Sequence, residues 1–126
     1  MSVYCGTDMV EVERIRKAIE NRGDRFLLRV FTKNEIAYCT GRNAGQWLSF
    51  AARFAAKEAV SKALGTGFGR GVTPLNVEVS LLPGGQPEIT VYGNARNRFE
   101  ELGGKGISVS MSHTATHALA MAVLWS

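Results

Sequence analysis

The spacing of hydrophobic residues changes several times along this chain, and each change marks an element. Val3–Met9 reads as a short strand with Asp8 near its end. From Glu11, residues Val12, Ile15 and Ile19 recur at helical spacing, with charges between them, until Gly23 offers a stop. Phe31-Thr32-Lys33-Asn34-Glu35-Ile36 is a sharp helix start: Thr32 as N-cap, Glu35 completing a capping box, Phe31 and Ile36 at the staple positions. The longest helix is predicted over about Ala44 to Leu64, with Gly65 as its end. Ala52, Ala55, Ala59 and Ala63 form a small-residue stripe on it, and Arg53, Lys57, Glu58, Ser61 and Lys62 fall on the other half, facing solvent or a site.

A glycine-rich loop, Gly65–Gly71, follows. Leu75, Val77, Val79 and Leu81 alternate with polar residues and predict a half-buried strand. Gly84-Gly85 then turns the chain into a second strand holding Ile89 and Val91. Asn94–Leu102 suggests a helix. Ile107, Val109 and Met111 alternate with serines, His113–Thr116 reads as a turn, and Ala118–Trp125 reads as a buried strand. Short turns between neighbouring strands favour antiparallel pairing. The expected architecture is α+β, a mainly antiparallel sheet packed against one long alanine-rich helix, in a single domain over residues 1–126.

Composition narrows the class. A chain of 126 residues, 45% hydrophobic, builds one modest core and leaves little interior for a deep pocket. A site completed between subunits would overcome that limit. No apolar run approaches the roughly 20 residues that span a bilayer. The start Met1-Ser2-Val3-Tyr4-Cys5 does not resemble a signal peptide. Cys5 and Cys39 lack CxxC spacing and read as free thiols, so a cytoplasmic location is expected. The formal charge of +4 is either a solvated surface or an attraction for an anionic ligand or an acidic protein. Zinc-finger spacing and aromatic-rich basic motifs are absent, which argues against nucleic acid.

Candidate chemistry gathers at few places. Asp8, at a strand end before a helix, is either a turn former or a metal ligand. Glu58 and Lys62, four apart, could be an ordinary helix-surface pair. With Arg53, Lys57 and Ser61 nearby, they also suit a phosphate-rich ligand with magnesium, an ion that often takes only one or two protein carboxylates. The glycine-rich loop lacks the P-loop ending and the GxGxxG spacing, and it follows a helix rather than preceding one. It is a flexible helix exit or a phosphate contact. His113 and His117 are too few for zinc, which leaves His113 as a polar contact, an acid–base group or a turn residue. Arg14, Arg16, Lys17, Arg22 and Arg25 form a basic cluster, a solvated face or a docking surface for an acidic helix.

Taken together, Gly6-Thr7-Asp8-Met9-Val10-Glu11-Val12-Glu13-Arg14-Ile15, Phe31-Thr32-Lys33-Asn34-Glu35, Arg53–Gly67 and Ser110-Met111-Ser112-His113-Thr114 resemble the holo-[acyl-carrier-protein] synthases. These are the short, trimeric 4′-phosphopantetheinyl transferases. The resemblance implies transfer of 4′-phosphopantetheine from coenzyme A to a serine of apo-acyl carrier protein. It implies Asp8 and Glu58 as magnesium ligands, and Asp8, Glu58 and Lys62 as the catalytic set. Arg53, Lys57, Ser61, Lys62, Gly65, Pro87, His113 and Thr114 would line the coenzyme A cleft. That cleft would lie between subunits of a homotrimer, with the His113 segment coming from the adjacent chain. Arg14, Arg22 and Arg25 would receive acyl carrier protein. Two other readings compete: a non-catalytic basic module binding acidic proteins or nucleotides, and a magnesium-dependent nucleotide hydrolase.

Overall fold

The computed structural model describes all 126 residues. Strand β1 (Val3–Glu11) runs directly into helix α1 (Val12–Arg22), which buries Ile15 and Ile19 and ends at Gly23. Helix α2 (Asp24–Val30) begins at once. The sequence pattern did not signal it: its seven residues make barely two turns, and only Val30 is buried. Helix α3 (Lys33–Thr40) opens with the expected capping box. The Glu35 amide donates to Thr32 Oγ1, and the Thr32 amide donates to Glu35 Oε1 at 2.8 Å. The long helix α4 spans Gln46–Ala63, after a 3₁₀ turn at Asn43–Gly45 that absorbs its expected first turn.

Two sheets form. Strands β2 (Val77–Leu81) and β3 (Pro87–Val91) make a hairpin that stands alone as a two-stranded sheet. Helix α5 (Gly93–Glu101) leads to β4 (Gly106–His113) and β5 (His117–Trp125). These two join β1 in an antiparallel sheet ordered β1-β5-β4. In register, Asp8 and Met111 both lie beside Ala120, and His113 lies beside Ala118. The fold is the expected α+β arrangement.

Helix α4 covers one face of the three-stranded sheet. Val10, Ala118, Ala120, Ala122 and Leu124 point at it and are buried, as are Ala55 and Ala59 on the helix. The approach is closest at Gly6, where an added Cβ would strike the Ala59 carbonyl oxygen and come within 2.7 Å of the Ala63 amide nitrogen. A glycine is therefore required for β1 to lie this near the helix.

Two expectations need correction. Ala118–Trp125 is not buried throughout: Leu119 and Met121 are 43% and 50% exposed, because the sheet is covered on one face only. Val3 and Met9 extend this apolar outer face. The polar half of α4 does not all face outward either. Arg53, Lys57 and Ser61 are buried, because α3 and β2 pack on that side of the helix. Only Glu58 and Lys62 keep solvent access.

Candidate functional site

Close packing at Gly6 carries Asp8, two residues on, to the flank of α4. Lys62 donates from Nζ to Asp8 Oδ1 at 3.1 Å and to the Thr7 carbonyl at 2.9 Å. Glu58, one helical turn before Lys62, joins them. Burial raises the Glu58 carboxyl above the ordinary carboxylate range and the Asp8 carboxylate raises it further, while Lys62 and Arg14 pull the other way. Glu58 thus feels Asp8, Lys62 and Arg14 at once, and the structure brings the expected catalytic set together.

No group of three or more His, Cys, Asp or Glu side chains surrounds this point. The donor set still fits magnesium. The Asp8 carboxylate disfavours ionisation of Glu58, a shared cation would offset that, and magnesium usually completes its shell with water and phosphate oxygens.

Arg53 lies elsewhere. At 3.6 residues per turn it sits roughly 140° around α4 from Glu58, on the side of β4. Its Nη1 donates to Ser49 Oγ at 2.9 Å, and its guanidinium lies 4.3 Å from the centre of the Tyr38 ring. Its buried Nε has no partner. A recess of about 390 Å³ opens here, lined among others by Tyr38, Arg42, Arg53, Leu81 and His113. Two guanidiniums and an imidazole, with an unused buried donor, suit an anion such as phosphate. Arg42 and Tyr38 were not singled out from the sequence, although their i,i+4 spacing on polar ground was a signal.

The candidate residues therefore divide into two groups on opposite flanks of α4. Asp8, Glu58 and Lys62 stand at the β1 edge of the sheet. Arg53 and His113 stand at the β4 edge, with the β2–β3 hairpin above them. Arg53 thus belongs with His113, not with Glu58.

The remaining residues divide as follows. Pro87 opens β3 opposite Leu81 and is half-buried beside this recess. Gly65 is exposed at φ 79°, just past α4, where Arg98 donates to the Leu64 carbonyl at 2.9 Å. Thr114 folds its own turn: Oγ1 accepts from the His117 amide at 3.1 Å. Ser61 is wholly buried, its hydroxyl donating to the Glu58 carbonyl at 2.7 Å.

Lys57 is a correction. It is wholly buried, and its ammonium meets Glu35 Oε1 at 2.7 Å, the Pro74 carbonyl at 2.9 Å and the Val77 carbonyl. No hydrogen is left for a phosphate, so it does not line a cleft. Its true partner was visible in the sequence only as a capping-box glutamate.

Among the basic residues, Arg14, Lys17 and Arg22 ring a recess of about 290 Å³ floored by Phe26 and Phe54. A neighbouring recess holds Arg22, Arg25 and Arg29. Charged rims around an aromatic floor suit an amphipathic acidic partner.

Comparison with known proteins supplies the context. The model of the 4′-phosphopantetheinyl transferase superfamily matches residues 4–123. A holo-[acyl-carrier-protein] synthase of Ruminiclostridium cellulolyticum is 49% identical over 98% of this chain and 92% of its own length. A Helicobacter pylori holo-[acyl-carrier-protein] synthase, solved with coenzyme A, superposes with TM-score 0.84 at 32% identity, covering 96% of this chain and 99% of that one. A Bacillus anthracis holo-(acyl-carrier-protein) synthase, solved with CoA (3′,5′-ADP), gives 0.78 at 34% identity, covering 96% and 94%.

Proposed function

This chain belongs to the 4′-phosphopantetheinyl transferase superfamily, and on that premise we infer that it is a holo-[acyl-carrier-protein] synthase. It transfers the 4′-phosphopantetheine group from coenzyme A to a serine of apo-acyl carrier protein, releasing 3′,5′-ADP. The observation that carries this reading is the meeting of Asp8, Glu58 and Lys62 on a chain that matches the family almost end to end. A module that only bound anions would have no use for two adjoining carboxylates.

The chemistry follows from charge and position. The carrier serine hydroxyl attacks the β-phosphorus of coenzyme A, the pyrophosphate P–O bond breaks, and 3′,5′-ADP leaves. Phosphoryl transfer needs alignment and charge stabilisation more than a covalent enzyme intermediate. The Lys62 ammonium meets the charge on the transferring phosphoryl oxygens. Glu58, the carboxylate one turn before Lys62, takes the serine proton. Asp8 and Glu58 would hold magnesium, which supplies charge neutralisation at the pyrophosphate.

The two groups on opposite flanks of α4 suit a cleft shared between subunits. One copy offers Asp8, Glu58 and Lys62, and a neighbour offers the Arg53–His113 recess. The exposed apolar face of the sheet, with Val3, Met9, Leu119 and Met121, is a surface for such an assembly, and we assign it to a homotrimer. Arg14, Arg22 and Arg25 receive acyl carrier protein. Cys5 and Cys39 are free thiols, which suits a reducing compartment, the cytoplasm. No helix is long and apolar enough to cross a membrane.

The test is an intact-mass assay. Apo-acyl carrier protein incubated with the enzyme, coenzyme A and magnesium gains one phosphopantetheinyl unit. An unchanged carrier mass at saturating substrates contradicts the reading.

A further inference from the structure

A two-stranded hairpin is marginal by itself, so something must hold β2–β3 in place. Strand β2 pairs with β3 along one edge only. Alternate residues of a strand direct their backbone polar groups to the same edge. At the free edge of β2, the Val77 carbonyl accepts from Lys57 Nζ, and the Val79 amide donates to Glu35 Oε2 at 2.7 Å. The ammonium also holds the Pro74 carbonyl, just before the strand, at 2.9 Å. The ion pair therefore stands where a neighbouring strand would be.

Stability does not explain such a pair. Apolar residues of similar volume often serve a core as well or better. Location is more telling. Lys57 lies one turn after Arg53 on the same side of α4. The hairpin it holds brings Leu81, at the end of β2, and Gly85, in the turn, to the lining of the recess that Arg53 and His113 also line.

We propose that the buried Lys57–Glu35 pair positions the β2–β3 hairpin against α4 and so sets the width of the recess in which Arg53 meets the phosphate of coenzyme A. This rests on the transferase reading given above. Lys57 is then a positioning residue that acts through the hairpin wall and touches no substrate.

Calorimetric titration with 3′,5′-ADP, together with steady-state kinetics in coenzyme A, tests it. Three folded variants are compared with the wild type: Lys57→Met, Glu35→Gln and Phe99→Ala. The last truncates a buried core residue on α5, which lines neither flank site. Lys57→Met and Glu35→Gln should raise the Kd for 3′,5′-ADP and the KM for coenzyme A at least about tenfold, with a much smaller change in kcat. Phe99→Ala should lower Tm and leave the Kd within about twofold.

A Kd near the wild-type value in Lys57→Met overturns the proposal, as does an equal rise in Phe99→Ala. If Lys57→Met does not fold, Glu35→Gln decides alone, since it keeps the volume and removes the charge. A wild-type protein that neither binds 3′,5′-ADP nor modifies the carrier refutes the transferase reading itself. A competent wild type with indifferent variants refutes only the positioning role.

Discussion

Lys62 Nζ lies 3.1 Å from Asp8 Oδ1, joining the end of α4 to a strand 54 positions earlier. The lysine side chain is half exposed, so the pair contributes at most about 1 kcal/mol to stability. Its value is in the site. Lys62→Met should leave Tm within a few degrees of wild type, yet lower kcat by about 10²–10³-fold, as loss of one transition-state donor does elsewhere. Thermal melts and carrier-modification rates check the two halves of this statement.

Glu58 gives a prediction in pH. Its carboxyl is held above the ordinary value of 4.5 by burial and then by Asp8. A raised folded-state value favours the protonated form, so that contribution to stability is present below pH 4.5. It is lost as pH rises through the folded value. Glu58→Gln should therefore melt a few degrees above wild type at neutral pH, with the difference vanishing below the ordinary carboxylate range. Magnesium should raise the Tm of wild type and not of the variant. Melting curves across pH, with and without the ion, provide the comparison.

Gly6 sets the distance between β1 and α4. Gly6→Ala places a methyl group on the Ala59 carbonyl, a backbone atom that no side-chain movement relieves. Destabilisation of about 1–3 kcal/mol is expected. Asp8 moves away from Glu58 with the strand, so half-saturation by magnesium should shift to higher concentration. Chemical denaturation and a metal titration of turnover measure these effects.

The basic rim of the aromatic recess should govern carrier recognition. Arg14→Glu and Arg22→Glu are expected to raise KM for acyl carrier protein by an order of magnitude or more and to flatten its salt dependence. Affinity for 3′,5′-ADP should not change in Arg22→Glu, because Arg22, unlike Arg14, does not act on Glu58. Binding measured at two ionic strengths separates these outcomes.

Much of the fold was legible because local signals agreed. The Thr32–Glu35 capping box, the stripe from Ala52 to Ala63 and the serine alternation before His113 each carry one periodicity and one meaning. Helix α2 was not legible, being too short to show a period. The candidate site was legible where side chains reach solvent, at Asp8, Glu58 and Lys62. It was misleading at Lys57 and Ser61. A helical wheel places them beside Glu58, but it cannot show that α3 and β2 cover that side. The grouping of Arg53 with Glu58 was misleading for a related reason: five residues of helix turn it away from Glu58, and only the tertiary structure gives it His113 and Tyr38 as neighbours. Glu35 was read correctly as a cap, yet its second role needs Lys57, which no local spacing supplies.

The transfer site proposed above combines the two flanks of α4 from two different copies. Co-expression of Glu58→Gln with Arg53→Met subunits tests it most directly. Each variant alone should modify acyl carrier protein poorly. Mixed assemblies contain interfaces with both groups intact, and carrier modification should recover to about a quarter of the wild-type rate, as random mixing of two subunit types implies. A mixture no more active than its two components assayed separately would contradict a site shared between subunits.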